Sequence, residues 1–196
     1  MSEEPATPRQ AASVILVRGG PERLEVLLVK RNPEARFMGG AWVFPGGAVD
    51  ADEGEDDAAH RRCAVREMRE EASVALEDPG GLVAFSRWIT PREVSIRFDT
   101  WFYLAPSPPG ADPLPDGQET VDARWYAPGA ALEAHRRGEI LLVFPTIKHL
   151  EQLGGFDTAD ALLGYARGRE VEPVEPRVLR SGETARIVLP GEPGYE

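Results

Sequence analysis

A chain of 196 residues has the length of one ordinary domain and can bury a single core without disulfide staples. Its formal charge of -11 argues against the phosphate backbone of a nucleic acid as partner, and its one cysteine, Cys63, excludes an intramolecular disulfide framework. No apolar run approaches the roughly twenty residues needed to cross a bilayer, and the acidic opening Met1-Ser2-Glu3-Glu4-Pro5 is unlike a secretory signal, so a cytoplasmic protein with no membrane partner is expected.

Residues 1–11 are polar and proline-containing and read as a flexible tail, leaving 12–196 as one domain. Ser13 to Arg18 and Leu24 to Arg31 are rich in Val, Leu and Ile and flank Gly19-Gly20-Pro21, which predicts a hairpin-like strand pair. A short strand is expected at Trp42 to Phe44, then a turn at Gly46-Gly47, then a helix from about Asp56 to Ala72. Leu82 to Ile89 and Val94 to Ala105 read as strands. In the second, Ile96, Phe98, Thr100, Phe102 and Leu104 alternate with Arg97, Asp99, Trp101 and Tyr103, so one face packs in the core while the other can meet ligand. Pro106 to Gly117 is a proline-rich loop and Val121 to Tyr126 a further strand. Helices are predicted at Pro128 to Arg137, Thr146 to Leu153 and Thr158 to Ala166, and a last hairpin at Arg177 to Leu179 and Arg186 to Leu189 around Ser181-Gly182. Strands mixed with helices imply a layered α/β domain. The part after Leu153 is conceivable as a lid or a dimer surface, which leaves a homodimer open.

The box of chemistry is Arg66-Glu67-Met68-Arg69-Glu70-Glu71. On a helix, Glu67, Glu70 and Glu71 stand at i, i+3 and i+4, opposite Ala64, Val65, Met68 and Ala72, which predicts an amphipathic helix with an anionic outer stripe. Like charges at those spacings repel by a few tenths of a kcal/mol per pair, and hard oxygen ligands converging on one point suit Mg²⁺. An arbitrary string of this kind reads as a solvated acidic face with an Arg66 to Glu70 ion pair. The Phe44-Pro45-Gly46-Gly47 turn about twenty residues upstream shifts the reading toward a metal site.

With that turn, the segment resembles the Nudix box, GX5EX7REUXEEXGU, of hydrolases acting on nucleoside diphosphates linked to another moiety. Arg66, Glu67, Met68, Glu70, Glu71 and Val74 fill the R, E, U, E, E and U places, and Gly47 the opening glycine. Three departures stand out. About five residues are inserted between Gly47 and Arg66, read as lying around Asp50 to Asp57. Counting back from Arg66, the first Glu of the box falls on Ala58, with Glu55, Asp56 or Asp57 as substitutes. Ser73 takes the glycine place at the helix end, where a left-handed residue with a Cβ costs on the order of 1 kcal/mol. Upstream, Leu27-Leu28-Val29-Lys30-Arg31-Asn32, Arg36, Gly40 and Phe44-Pro45-Gly46-Gly47 are similar to the motif LLTXR(S/A)X3RX3GX3FPGG of coenzyme A diphosphatases, with Val29 and Asn32 departing. Arg36 to Asp50, Phe98 to Phe102, and Phe144-Pro145-Thr146 with Leu150 are similar to the peroxisomal, mammalian-type branch.

The resemblance implies an α/β/α sandwich with a mixed sheet and the box helix packed on it. It also implies dependence on Mg²⁺ or Mn²⁺ and a nucleoside diphosphate derivative as substrate. It assigns Glu67, Glu70 and Glu71 as metal ligands, with the Gly47 carbonyl as a further donor and Arg66 as a clamp on the carboxylates. Glu119, six residues before Trp125, is the candidate extra ligand or general base, and Glu93 its competitor. Arg31 and Arg36 would bind substrate phosphates, beside Gly46 and Gly47. Phe37, Trp42, Trp88 and Trp101 are candidates to stack on adenine or to pack in the core, and His60, His135 and His149 show no ligand spacing. Three functions follow: hydrolysis of coenzyme A or its acyl derivatives; hydrolysis of ADP-ribose, NADH or a nucleotide sugar; or ligand sensing with little turnover.

Overall fold

The computed structural model describes residues 5–19, 23–182 and 184–195. The acidic opening Met1 to Glu4 and the Gly20-Pro21 turn lie outside the described residues. In chain order the strands are β1 (Arg9–Arg18), β2 (Glu25–Arg31), β3 (Ala41–Val43), β4 (Gly46–Ala48), β5 (Val83–Ile89), β6 (Phe98–Pro106) and β7 (Thr120–Tyr126), followed by β8 (Leu141–Leu142), β9 (Pro173–Val174), β10 (Arg177–Ser181) and β11 (Thr184–Val188). The helices are α1 (Asp57–Ala72), α2 (Pro128–Arg136), α3 (Phe144–Leu153) and α4 (Ala159–Arg167).

The sheet runs β8-β3-β2-β1-β6-β5-β9, with β4 also on β1 and β7 also on β2. β1 and β6 are parallel along nine register pairs, and the rest of the sheet is mixed. Both faces are covered, which is why β1 and β2 read as nearly continuous apolar runs. On β1, Ile15 and Val17 face the cluster with Leu150, Leu153 and Leu162 of α3 and α4, while Ala12, Val14 and Leu16 face Cys63, Ala64 and Met68 of α1. On β2, Val26 and Leu28 go to the first cluster, Leu27 and Val29 to the second. The result is the α/β/α sandwich.

Strand β1 begins at Arg9, inside the segment read as a tail. Parallel pairing sets Arg9, Gln10 and Ala11 opposite Phe98, Asp99 and Thr100, and Arg97 donates to the Ala6 carbonyl at 2.7 Å. The polar side chains that suggested a tail instead border clefts on the two sides of the strand, Arg9 on one and Gln10 on the other. The short strands β4, β8 and β9 leave no mark in the sequence pattern, since two or three residues carry too little periodicity to read. Strand β6 starts at Phe98, not Val94, and α3 at Phe144.

On its second edge β1 divides its partners. Ala11, Ala12 and Ser13 pair with Ala48, Gly47 and Gly46 of β4, whereas Val17 and Arg18 pair with Val26 and Glu25 of β2. Ser13 Oγ donates to the Pro45 carbonyl at 2.8 Å, holding the chain where it forks. This fork brings β4 beneath the carboxylate face of α1.

Candidate active site

Helix α1 is set by its caps. Asp56 accepts from the Ala59 amide at 2.8 Å at the start, and Ser73 ends the helix in the left-handed region at φ 57, ψ 23, donating back to Arg69. Ser73 therefore keeps the conformation that the missing glycine would have favoured.

The carboxylates are not an outer stripe. Glu67 is 8% and Glu71 2% exposed, and only Glu70 faces solvent. What covers them is β4. A Cβ on Gly46 would lie 2.5 Å from the Ala12 carbonyl oxygen, so this glycine lets β4 lie close against β1, and one on Gly47 would overlap the Glu67 carboxylate, so that glycine lets α1 settle directly onto the strand. The Gly46 amide then donates to Glu71 at 2.9 Å. The Gly47 carbonyl accepts from the Cys63 thiol at 3.6 Å, so in this structure Gly47 gives the site room for Glu67.

Arg66 gathers the acids. Its Nη1 donates to Glu67 at 2.7 Å and to Glu70 at 3.0 Å, its Nη2 to the Ala48 carbonyl and to Glu53 at 3.2 Å each, and its Nε to Glu53 at 3.3 Å. Glu53 thus fills the place that counting back from Arg66 gave to Ala58. Five residues separate Gly47 from Glu53, as GX5E requires, so the insertion lies between Glu53 and Arg66. Counting forward from Gly47 would have found it. Glu55, Asp56 and Asp57 do other work. Glu55 borders a smaller cleft with His60 and Trp101, Asp56 caps α1, and Asp57 accepts from Tyr103 and Arg61.

Burial and crowding decide the charges. Burial lifts the Glu71 carboxyl to about 8, against the pull of the Gly46 amide and Arg31, with Glu67 and Glu119 adding to the rise. Burial also raises Glu67, though Arg66 opposes it, and the charges of Glu70 and Glu119 push the same way. Glu53 is held below the usual carboxylate range because Arg66 outweighs its burial.

Glu119 comes to the same cleft on the loop before β7, as expected. Asp116 accepts from the Glu119 and Thr120 amides at 3.1 and 2.7 Å, Thr120 Oγ1 donates to the Glu71 carbonyl at 2.7 Å, and Asn32 Nδ2 donates to the Gln118 carbonyl at 2.7 Å. Asn32, a departure from the upstream motif, therefore pins the loop that carries Glu119. Glu93 is elsewhere, accepting from the Val178 amide.

These groups share one cleft of about 800 Å³. The carboxylates and Arg31 form one wall; Phe37, Phe98 and Phe102 form much of the other. The Arg31 Nε is buried without a partner among the described residues, an unsatisfied donor at the wall of the cleft. Arg36 is exposed and does not line the cleft. Trp42 is core, Trp88 packs on Phe144 and His149, and Trp101 borders the smaller cleft, so of the four aromatic candidates only Phe37 borders this one.

Among the described residues no three acidic, His or Cys side chains already converge as a metal cage. The reason is visible: Glu67 and Glu70 are both drawn to Arg66, and Glu71 to the Gly46 amide. The donor set nonetheless fits a hard divalent cation. It consists of carboxylate oxygens, crowded enough to raise one another's pKa, and added positive charge would relieve that crowding.

Comparison with known proteins agrees with this geometry. The NUDIX domain model matches residues 7–143. The human acyl-coenzyme A diphosphatase NUDT19 is 26% identical across 97% of this chain and 81% of its own, and the putative nudix hydrolase 7 of Caenorhabditis elegans is 26% identical across 88% and 69%. A NUDIX hydrolase of Alicyclobacillus acidocaldarius superposes with a TM-score of 0.74 at 26% identity, over 81% of this chain and 96% of that one. By the matched domain, the sheet and the box helix the chain belongs to the Nudix hydrolase family, whose members typically depend on a divalent metal.

Proposed function

We propose that this Nudix hydrolase cleaves the diphosphate linkage of coenzyme A or an acyl derivative, giving adenosine 3',5'-bisphosphate and a phosphopantetheine product. The observation that carries the reading is one cleft with a carboxylate wall at one side and an aromatic wall at the other, preceded by the upstream segment Leu27 to Gly47. The likeness to an acyl-coenzyme A diphosphatase across nearly the whole chain supports the same substrate.

Glu67, Glu70 and Glu71 would hold a Mg²⁺ or Mn²⁺ ion. When bound, such an ion neutralises the phosphate oxygens and lowers the pKa of a water. The remaining work falls to the chain. Glu119, on its pinned loop, takes a proton from the attacking water as the bond from water oxygen to phosphorus forms and the phosphorus to bridging-oxygen bond breaks. Arg31 offers its unpartnered Nε–H to a phosphate oxygen. Arg66, itself held by Glu53, keeps Glu67 and Glu70 in place.

Incubation of the pure protein with coenzyme A and Mg²⁺, followed by separation of nucleotides, tests the reading. Adenosine 3',5'-bisphosphate is the expected product. Its absence with coenzyme A and acyl-coenzyme A at every metal and pH, while ADP-ribose or a nucleotide sugar is split, would move the substrate elsewhere within the family.

A further inference from the structure

The wall of the cleft away from the carboxylates has a polar group of its own that the protein leaves unsatisfied. Thr146 is 4% exposed and lines the cleft, and its hydroxyl has no hydrogen-bond partner among the described residues. It is the third residue of α3, a ten-residue helix whose first turn has no side-chain cap, because the residue before it is Val143. Val143 and Pro145 line the same cleft. Pro145 has no N–H, and among the described residues the amides of Phe144 and Thr146 have no acceptor. An uncapped helix start beside an unpartnered hydroxyl of an otherwise buried residue is a place made for an anion.

Its position separates it from the reacting diphosphate. Phe144 packs on Trp88, with ring centroids 6.2 Å apart. Trp88 stands opposite Thr100, Thr100 opposite Ala11, and Ala11 opposite Ala48 of the strand on which the carboxylates rest. Three strand spacings, roughly 14 Å, is too far for two phosphorus atoms that share one oxygen. The charge along the cleft is divided in the same sense. Its acids all belong to the β4, α1 and Glu119-loop side, while Thr90, Thr100 and Arg9 border the other, Arg9 lying 5.9 Å from the Phe98 ring.

We propose that the first turn of α3, with the Thr146 hydroxyl, is the subsite for a second phosphoryl group of the substrate, a phosphomonoester on the nucleoside remote from the bond that is cut. This rests on the function proposed above, in which that group is the 3'-phosphate of coenzyme A. The arginines that the sequence offers for it do not reach this wall: Arg31 acts on Glu71 and Arg36 stands outside the cleft.

The test is binding, which does not depend on turnover. Adenosine 3',5'-bisphosphate and adenosine 5'-monophosphate are titrated by calorimetry, with Mg²⁺ present, into the wild type, Thr146→Val and Thr146→Asp. The wild type is expected to bind the bisphosphate about tenfold or more tightly than the monophosphate, the worth of a few charge-assisted hydrogen bonds. Thr146→Val should lose most of that preference with its monophosphate affinity unchanged. Thr146→Asp should abolish the preference, since a carboxylate at that helix start repels phosphate. Equal affinities in the wild type, absence of binding by either nucleotide, or a preference intact in both variants would overturn the subsite. Failure to hydrolyse coenzyme A beside a preserved binding preference would instead count against the substrate.

Discussion

The two faces of the sheet are packed by different rules. Beneath α3 and α4 the core is Ile15, Val17, Leu28, Leu150, Leu153 and Leu162, and the buried imidazole of His149 sits among Phe44, Phe85, Trp88 and Phe102 with Ser86 as its hydrogen-bond partner at 2.6 Å. Beneath α1 the chain buries Glu67 and Glu71 beside one another, and among the described residues Glu71 has no ion pair, only the more distant pull of Arg31. The first face is built for stability. The second carries crowded acid that costs free energy until a cation or proton relieves it, the mark of a face shaped for chemistry.

Glu71→Gln breaks that asymmetry most severely. Activity should fall by at least about a hundredfold, as expected when a group at the reacting centre is removed. The metal-free protein should melt no lower than the wild type, because an amide oxygen still accepts from Gly46 and a buried like charge is gone. Near wild-type turnover in both Glu70→Gln and Glu71→Gln would overturn the metal assignment. The same acid predicts a proton linkage. With its carboxyl raised to about 8, Glu71 is largely protonated at pH 7 without metal, and a cation must displace that proton. Mg²⁺ affinity should therefore rise as pH rises toward 8, with proton release visible as a buffer-dependent enthalpy; a pH-independent affinity between pH 6 and 8 would contradict it.

A smaller effect separates Glu53 from Glu55. Glu53→Ala removes the partner that holds Arg66, and through it Glu67 and Glu70, and should cost about 10- to 100-fold in activity or metal affinity. Glu55→Gln should stay within about twofold, since Glu55 borders the other cleft. Equal effects would mean that the clamp is not positioned through Glu53.

Much of this site is legible in the residues. The i, i+3, i+4 spacing brings Glu67, Glu70 and Glu71 to one wall, Arg66 clamps two of them, and Glu119 arrives from its loop. What periodicity cannot say is what packs against the polar side of a helix. It puts Glu67 and Glu71 outward; Gly46 lets a three-residue strand lie close on β1, and Gly47 lets α1 close over that strand, which turns them inward. Glu53 is hidden by an insertion that breaks the spacing on one side only. Arg9 and Gln10 look like a tail because a strand bordered by clefts on both sides has polar side chains. Thr146 gives no signal, because an unsatisfied hydroxyl exists only once α3 has docked.

The apolar face makes a pH prediction of opposite kind. Complete burial drops the His149 imidazole to about 3, below its ordinary value of 6.5. The unfolded chain therefore binds this proton first as pH falls. The stability contributed is whole above 6.5 and is lost toward 3, by up to about 1.4 kcal/mol per pH unit. His149→Leu, of similar bulk, should melt closer to the wild type at pH 5 than at pH 7. A difference independent of pH would show that His149 titrates normally.

The smallest effect is at the end of α1, where the chain turns into the loop to β5. Ser73 holds φ 57 there, one of two non-glycine residues with positive φ among those described, the other being Met38. A Cβ in that region costs about 1 kcal/mol, and the hydrogen bonds donated by the Ser73 amide to the Arg69 carbonyl and by the Val74 amide to the Met68 carbonyl show the left-handed helix end fully formed despite it. Ser73→Gly should remove the strain without touching Glu70 or Glu71, although the greater freedom of glycine in the unfolded chain takes back part of the gain. The expected result is a melting temperature about 2 °C higher with kcat unchanged. A lower melting temperature would mean that the serine is retained for what it restrains in the unfolded chain, and a change in kcat would mean that the end of α1 moves during the reaction.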